Sequence, residues 1–388
     1  MNKQTAVYLD CCATTPVDPR VAELVMRFMV EEFGNAGSRT HEFGTRAKKA
    51  VQEARAEVAE VAKAEPEEVI FTSGATEANN IALLGLAAWA EREGKRHIIS
   101  SAIEHKAVLE PLESLGRRGF EVQLLKPSSN GRIDPADVAD ALRGDTALVT
   151  LMHANNETGV VQPIEEVASL LEASQAFFHV DAAQTFGKIS GLENSRIDLL
   201  SVSAHKVFGP KGIGALIARR RGFSRAPLTP IMFGGGQERG LRPGTLPVAL
   251  VVGFGLAAEL AGKELLARRK ACLEFRSALL EGIQPLGPEF NGDYTLTLPH
   301  VVNVSFPGID SEAAIVALKE LVALSNGSAC TSADYRPSHV LTAMGISSAR
   351  TARALRLSWS HVTSSVAWPG VVSRLQGLRA SPDNKKTS

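Results

Sequence analysis

The sequence predicts an α/β fold: a large domain with a mostly parallel, seven-stranded type of sheet covered by helices, then a smaller α+β domain at the C-terminal end. Three observations carry this. Short apolar runs alternate with stretches of helical periodicity, the mark of repeated strand–helix–strand units and of a parallel sheet buried on both faces. The polar clusters fall just past the carboxyl ends of those runs, where open α/β sheets bind their ligands. Finally, 388 residues exceed one ordinary domain, so a large unit plus a smaller one is the default.

In chain order, Asp18-Pro19 reads as an N-cap followed by proline at the first helical position. Val21, Leu24, Val25 and Phe28 supply the apolar face of that helix. A second helix is expected over 45–63. Apolar strands are expected at 69–71, 97–100, 147–152, 177–180, 199–202 and 214–217. Helical stretches at 77–89, 106–115, 134–142 and 164–171 lie between most of them. A long helix over 262–282 leads away to a strand at 301–306 and a helix at 311–321. No internal repeat or low-complexity segment is present, and the polar end, 381–388, is expected to fray.

Composition narrows the function. Apolar residues make up 44% and charged residues 22%, ordinary globular values that allow a sizeable core. With 42 basic and 42 acidic side chains, a general nucleic-acid or membrane surface is not expected. The one basic run, Arg219-Arg220-Arg221, reads as a solvated loop after a strand. Cys11, Cys12, Cys272 and Cys330 fit neither a zinc ligand spacing nor a disulfide framework, so no metal is expected. Residues 1–5 lack the form of a signal peptide. The most apolar stretch, 248–258, is too short to span a bilayer, which takes about 20 residues. A reduced, cytoplasmic protein is the expectation.

Lys206 follows the strand at 199–202, within Ser203-Ala204-His205-Lys206. Alone it would be a solvated lysine. Ser203 and His205, however, can donate to an anion, and a buried lysine beside a bulky ligand can act as nucleophile and base. Asp181 follows the strand at 177–180 and needs a cationic partner. A protonated pyridine nitrogen is one candidate and a core arginine is the other. Gln184 lies within reach of a phenolic oxygen on such a ring. Thr72-Ser73-Gly74-Ala75-Thr76-Glu77, between strand and helix, offers free N–H groups and hydroxyls that suit phosphate; the alternative is that Ser73 or Thr76 simply caps the helix. No dinucleotide or P-loop pattern accompanies it. Together these residues point to pyridoxal phosphate.

His105 is either a helix cap or a flat ring stacked on the cofactor, able to move a proton. Asn155, within His153-Ala154-Asn155-Asn156-Glu157, suits a neutral donor to cofactor or substrate. Cys330 sits in a polar loop of small residues, Ser325 to Ser332, where a nucleophile is more natural than a buried thiol. Arg356, flanked by apolar residues, wants a bidentate anion: a substrate carboxylate or a structural partner.

The motifs resemble those of a known family. Ala13-Thr14-Thr15-Pro16, Phe71-Thr72-Ser73-Gly74-Ala75-Thr76-Glu77, Glu104-His105-Lys106-Ala107-Val108, His179-Val180-Asp181-Ala182, His205-Lys206 and Gly327-Ser328-Ala329-Cys330-Thr331-Ser332 resemble the cysteine desulfurases of the NifS/IscS type. These belong to the fold-type I, aspartate aminotransferase-like pyridoxal-phosphate enzymes, and the likeness runs from Tyr8 to about Ser358. Phe33-Gly34-Asn35-Ala36-Gly37-Ser38 and Ser101-Ala102-Ile103-Glu104-His105 look closer to the subgroup that supplies sulfur for DNA phosphorothioation.

The resemblance implies roles. Lys206 carries the cofactor and takes the substrate's α proton. Asp181 pairs with the pyridine nitrogen, Gln184 with the phenolic oxygen, and His105 stacks on the ring. Ala75, Thr76, Ser203 and His205 hold the phosphate. Thr245 reaches the phosphate of the other subunit of a homodimer. Asn155 and Arg356 hold the carboxylate of L-cysteine. Cys330 becomes a persulfide, with His105 as a candidate to take its proton, and passes sulfur to a protein acceptor. The destinations implied are iron–sulfur assembly, DNA phosphorothioation or another thio-modification. The expected division is an N-terminal arm, 1–15, against the small domain; a large domain, 16–264; and a small domain, 265–388, carrying the cysteine loop. A selenocysteine lyase or another fold-type I lyase is the alternative enzyme, and a non-enzymatic sulfur carrier is the alternative of another class.

Overall fold

The computed structural model describes residues 6–327 and 337–379. Cys330 and the expected fraying of 381–388 fall outside the described residues.

The chain opens on β1 (Val7–Tyr8) and α1 (Pro19–Val30), the latter capped by the Asp18 side chain, which accepts from the Arg20 N–H. α2 (Glu42–Ala62) follows and buries Ala47, Val51, Ala54 and Val58 on one face. Strands and helices then alternate: β2 (Val69–Thr72), α3 (Ala75–Arg92), β3 (His97–Ser101), α4 (Lys106–Arg117), β4 (Glu121–Leu125), α5 (Pro135–Ala141) and β5 (Thr146–Met152). α6 (Ile164–Leu170), β6 (Phe177–Asp181), β7 (Leu199–Ser203) and β8 (Gly214–Ala218) complete the unit.

β2 to β8 form one seven-stranded sheet in the order β2-β8-β7-β6-β5-β3-β4. β3, β4, β5, β6 and β7 pair in parallel, whereas β8 runs antiparallel to both of its neighbours. β4 is the strand that hydrophobic patterning misses. It lies at the sheet edge and exposes Glu121, Gln123 and Leu124, so it lacks the continuous apolar run of β5.

Two expectations are corrected in the next stretch. Arg219-Arg220-Arg221 is not simply solvated. Arg219 is 5% exposed and donates to the carbonyls of Ala62, Leu192 and Asn194, and Arg221 pairs with Asp198 at 2.5 Å. Unpaired carbonyls at element ends create this demand, which charge counting does not reveal. Arg220 and Arg221 form β9 (Arg220–Arg221), which turns back into β10 (Ser224–Arg225).

The long helix begins well before the expected start at 262: α7 spans Val248–Ile283, 36 residues. Its first turns are buried on nearly every face against α1 and α2, so no amphipathic period marks them. Phe254 shows the packing. Its ring meets Phe71 and Phe186 edge-on at 6.5 and 5.9 Å. Burying one such side chain contributes roughly 2–3 kcal/mol.

The C-terminal part holds β11 (Glu289–Phe290), β12 (Val301–Ser305), α8 (Ser311–Leu318), β13 (Val322–Ala323), α9 (His339–Ala343), α10 (Ser348–Thr351), β14 (Ala354–Ser358) and α11 (Trp368–Arg379). β11, β12 and β14 make a small antiparallel sheet. The hydrophobic cores divide within α7: Ala261 belongs to the core of the large sheet, and Cys272, Leu279 and Ile283 to a second core with Leu355, Leu357 and Trp359. β1 pairs in parallel with β13, and Leu9 is buried in that second core, so the N-terminal segment is tied to the C-terminal part.

Candidate active site

The carboxyl ends of β5, β6 and β7 and the start of α3 surround one cavity of about 560 Å³. Of the sequence-predicted residues, Ala75, Thr76, His105, Asp181, Gln184, Ser203, His205, Lys206 and Arg356 line it. Asn155 and Thr245 do not.

Asp181 is the last residue of β6 and is 6% exposed. Its oxygens accept from Asn79 Nδ2 at 2.7 Å and from the Ala183 N–H at 3.0 Å. Among the described residues no cation pairs with it, so the core-arginine alternative is not realised. A buried carboxylate held by two donors and open to the cavity suits a protonated ring nitrogen. Asn79 escaped the sequence reading. It lies on the buried face of α3 between Ala78, Ile81 and Ala82, and an amide inside an apolar stripe is the signal that could have found it.

Lys206 closes a single 3₁₀ turn, Ala204–Lys206, directly after β7. Its Nζ donates to the Cys12 carbonyl. Gln184 Nε2 donates to the same oxygen at 3.0 Å, while Gln184 Oε1 has no partner among the described residues. Asn79 Oδ1 is also buried without a partner among the described residues. Two such amides aimed at one cavity mark where a polar ligand belongs.

The anion end is built by close approach. Gly74, before α3, has φ 154°, which side-chain-bearing residues rarely adopt. A Cβ on Gly214 would lie 2.5 Å from the Val202 carbonyl and 2.7 Å from Gly74 Cα, so β8 can press against this turn only as glycine. Ala75 and Thr76, at the start of α3 where N–H groups have no intrahelical acceptor, line the cavity together with Ser203. His205 is neutral there: burial, with Lys206 and Lys211 nearby, pushes it down to about 4. Its Nδ1 is engaged with Thr14 Oγ1 at 3.1 Å, leaving Nε2 for a ligand.

His105 is a helix cap at the cavity wall. It lines the cavity, and as N-cap of α4 its Nδ1 accepts the Ala107 N–H at 3.1 Å. Burial lowers its pKa, with Asp181 opposing, so the neutral ring is favoured. With Nδ1 accepting, the neutral ring carries its proton on Nε2. In this geometry the ring offers Nε2–H as a donor, whereas the expected role as a base needs a free ring lone pair.

Arg356 has a structural partner and also faces the cavity. It is 1% exposed, pairs with Asp10 at 2.6 Å and donates to the Asn156 carbonyl at 2.9 Å, yet it lines the cavity. The structural ion pair is thus present. Asn155 is spent inside its own loop: its Oδ1 accepts from the N–H groups of Glu157 and Thr158 at 2.8 and 2.9 Å, and its Nδ2 donates to the Ile103 carbonyl at 2.9 Å. The structure gives it loop-shaping work rather than a place on the wall. Thr245 is exposed.

Glu157 joins both flanks of the segment that contains Cys330. It is 3% exposed and accepts from Ser338 Oγ, and a Cβ on Gly327 would lie 3.5 Å from its side chain.

The sequence pattern of the class-V aminotransferases matches residues 7–364. The chain belongs to that family. Among curated relatives, the cysteine desulfurase IscS of Vibrio cholerae (strain M66-2) is 47% identical over 361 residues, 92% of this chain and 88% of the relative. Among solved structures, DndA from Streptomyces lividans superposes with a TM-score of 0.80 at 53% identity, covering 91% of this chain and 99% of that one. SspA in complex with cysteine gives 0.81 at 37% identity over 92% of this chain and all of the other (100%). These likenesses establish the aminotransferase-like α/β fold expected from the sequence. Pyridoxal phosphate is the family's cofactor, and the cavity fits it: a carboxylate, an amine, an amide with its oxygen open and a helix N-terminus match its ring nitrogen, aldehyde, phenol and phosphate. Among the described residues no helix is long and apolar enough to cross a membrane, and no cluster suits a metal ion.

Proposed function

We propose that this chain is a pyridoxal-phosphate-dependent cysteine desulfurase in which Lys206 anchors the cofactor and moves the substrate's α proton, and Cys330 receives the sulfur. The observation that carries the reading is the convergence of Lys206, Asp181, His105 and Arg356 on one cavity, in a chain 47% identical to a named cysteine desulfurase.

Pyridoxal phosphate, when bound, supplies the sink for the electrons released as the substrate's Cα–H bond breaks. The protein does the rest. Asp181, steadied by Asn79, keeps the ring nitrogen protonated. The α3 N-terminus, Ala75, Thr76, Ser203 and His205 would hold the phosphate, and Gln184 would serve the phenolic oxygen. Arg356 grips the carboxylate of L-cysteine from beside Asp10. Lys206 removes the α proton. The Cys330 thiolate attacks the substrate sulfur: the S–S bond forms as the Cβ–S bond breaks, and the electron pair goes to the carbon fragment. That fragment is protonated and leaves as L-alanine. His105 contributes its Nε2–H as a donor.

Two further elements complete the reading. Thr245 is exposed and outside its own cavity, with Phe233 nearby in sequence 87% exposed. Both fit a cytoplasmic homodimer in which Thr245 serves the partner's phosphate. The acceptor is a protein. The 53% identity to DndA favours the DNA-phosphorothioation subgroup as its setting.

Borohydride reduction should abolish the visible absorption band and leave an adduct on Lys206. Cys330→Ser should keep that band and lose sulfide release from L-cysteine. Retained turnover in Cys330→Ser would reject the nucleophile assignment and favour a lyase of the selenocysteine type. A colourless purified protein would reject the cofactor.

A further inference from the structure

The adjacent Cys11 and Cys12 stand beside the reacting groups with no part in the chemistry above. Each is 2% exposed. It is the peptide of Cys12, rather than its thiol, that meets the machinery. The Cys12 carbonyl accepts from Lys206 Nζ and from Gln184 Nε2. The Cys12 N–H donates to Ser358 Oγ at 2.9 Å. Ser358 ends β14 and is fully buried. The same strand holds the segment by its backbone, with Cys11 N–H to the Ser358 carbonyl at 3.1 Å and Ser358 N–H to the Leu9 carbonyl at 2.9 Å. Two residues earlier on the same face, Arg356 grips Asp10 at 2.6 Å.

We propose that Ser358 is a positioning residue for desulfuration: it fixes the Cys12 peptide, whose carbonyl sets where the Lys206 amine stands whenever that amine is not bonded to the cofactor. The proposal rests on the function proposed above. A lysine released on a flexible four-carbon stem has many rotamers, and only those that keep Nζ over the substrate are productive. A fixed buried acceptor selects among them. The Cys12 amide is suited to the task because its N–H is already donating. That polarises the carbonyl and strengthens it as an acceptor. Lys206 and Gln184 also share the oxygen, so a shift of this peptide moves both together. No other residue type at position 12 is required, which explains how a cysteine can occupy this place without using its thiol.

Ser358→Ala removes the acceptor of the Cys12 N–H. Losing one hydrogen bond of ordinary strength is expected to lower kcat about tenfold. KM for L-cysteine stays within about twofold, because the substrate-binding groups are untouched. The second readout needs no cofactor. In cofactor-free protein, acetic anhydride should acetylate Lys206 several-fold faster in Ser358→Ala than in wild type at the same pH, because a carbonyl partner favours the unreactive ammonium. Ser358→Thr, which keeps the oxygen, restores both values. Should Ser358→Ala fail to fold, Ser358→Cys carries the same expectations, since a thiol is a weak acceptor of similar size. Unchanged kcat and unchanged labelling would overturn the proposal. So would a parallel loss of kcat and gain in KM with labelling unchanged, which marks a merely structural role. Failure of the desulfurase reading itself would show separately, as wild type inactive toward L-cysteine, while the labelling comparison still reports on the contact.

Discussion

Replacing Glu104 by glutamine is expected to stabilise the protein at neutral pH, by an amount that grows with pH. Glu104 is fully buried beside the cavity, next to His105. Its Oε1 accepts from Ser101 Oγ at 2.6 Å and from the Met152 N–H at 2.9 Å, and Oε2 has no partner among the described residues. Burial pushes the carboxyl from 4.5 up to about 8; the two hydrogen bonds oppose this and Asp181 adds to it. The sign follows from linkage. Below pH 4.5 the group is neutral in both folded and unfolded chains and costs nothing. Above it the unfolded chain ionises, while the folded one does not until about pH 8, so the wild-type carboxyl increasingly favours unfolding. Each pH unit in that window costs about 1.4 kcal/mol. Between pH 5.5 and 7.5 the stability of Glu104→Gln relative to wild type should therefore rise by about 2.5 kcal/mol. Glutamine keeps an oxygen for Ser101 and Met152, so the geometry is conserved. Urea unfolding of both proteins at the two pH values measures the difference. A relative stability that does not change with pH would refute the reasoning, since Glu104 would then be ionised in the fold or titrate alike in both states.

Three further outcomes follow. Asn79→Ala removes a donor to a charged carboxylate, worth about 1.5–3 kcal/mol, so cofactor affinity measured by absorbance titration should fall roughly tenfold to a hundredfold. Burial pushes the Cys11 thiol up to about 12 and the Cys272 thiol up to about 11, so iodoacetamide at pH 8 should leave both unlabelled in the folded protein and alkylate both in denaturant. Burial and nearby lysines hold His205 down to about 4, so phosphate binding by the cofactor-free protein should show no histidine titration near pH 6.5; an inflection there that vanishes in His205→Gln would contradict its neutrality.

Fold and site were legible in the sequence to different depths, for physical reasons. β5, β6 and β7 are buried on both faces, so their apolar runs announce them, and Asp181, Ser203 and Lys206 follow directly from the strand ends. β4 stayed hidden because an edge strand is half solvated. The start of α7 stayed hidden because a helix buried all round has no period. Arg219 looked solvated because its partners are backbone carbonyls, which no side-chain pattern encodes. The residues that support the site were the least visible. Asn79 meets Asp181 across 102 positions, and Asp10 meets Arg356 across 346. Such contacts exist only once the sheet is assembled. His105 illustrates a finer limit: sequence offered cap or catalyst, and only geometry shows that capping by Nδ1 settles which nitrogen keeps the proton.

The most direct test of the account is where sulfur goes. The holoenzyme is incubated with L-cysteine in the absence of reductant, its thiols are blocked, and its peptides are weighed. Cys330 as the sulfur-receiving thiol predicts one added sulfur atom on the peptide containing it, L-alanine in equal amount, and no added sulfur on Cys11 or Cys272. L-alanine formed without sulfur on Cys330, or sulfur carried by one of the buried thiols, would contradict it.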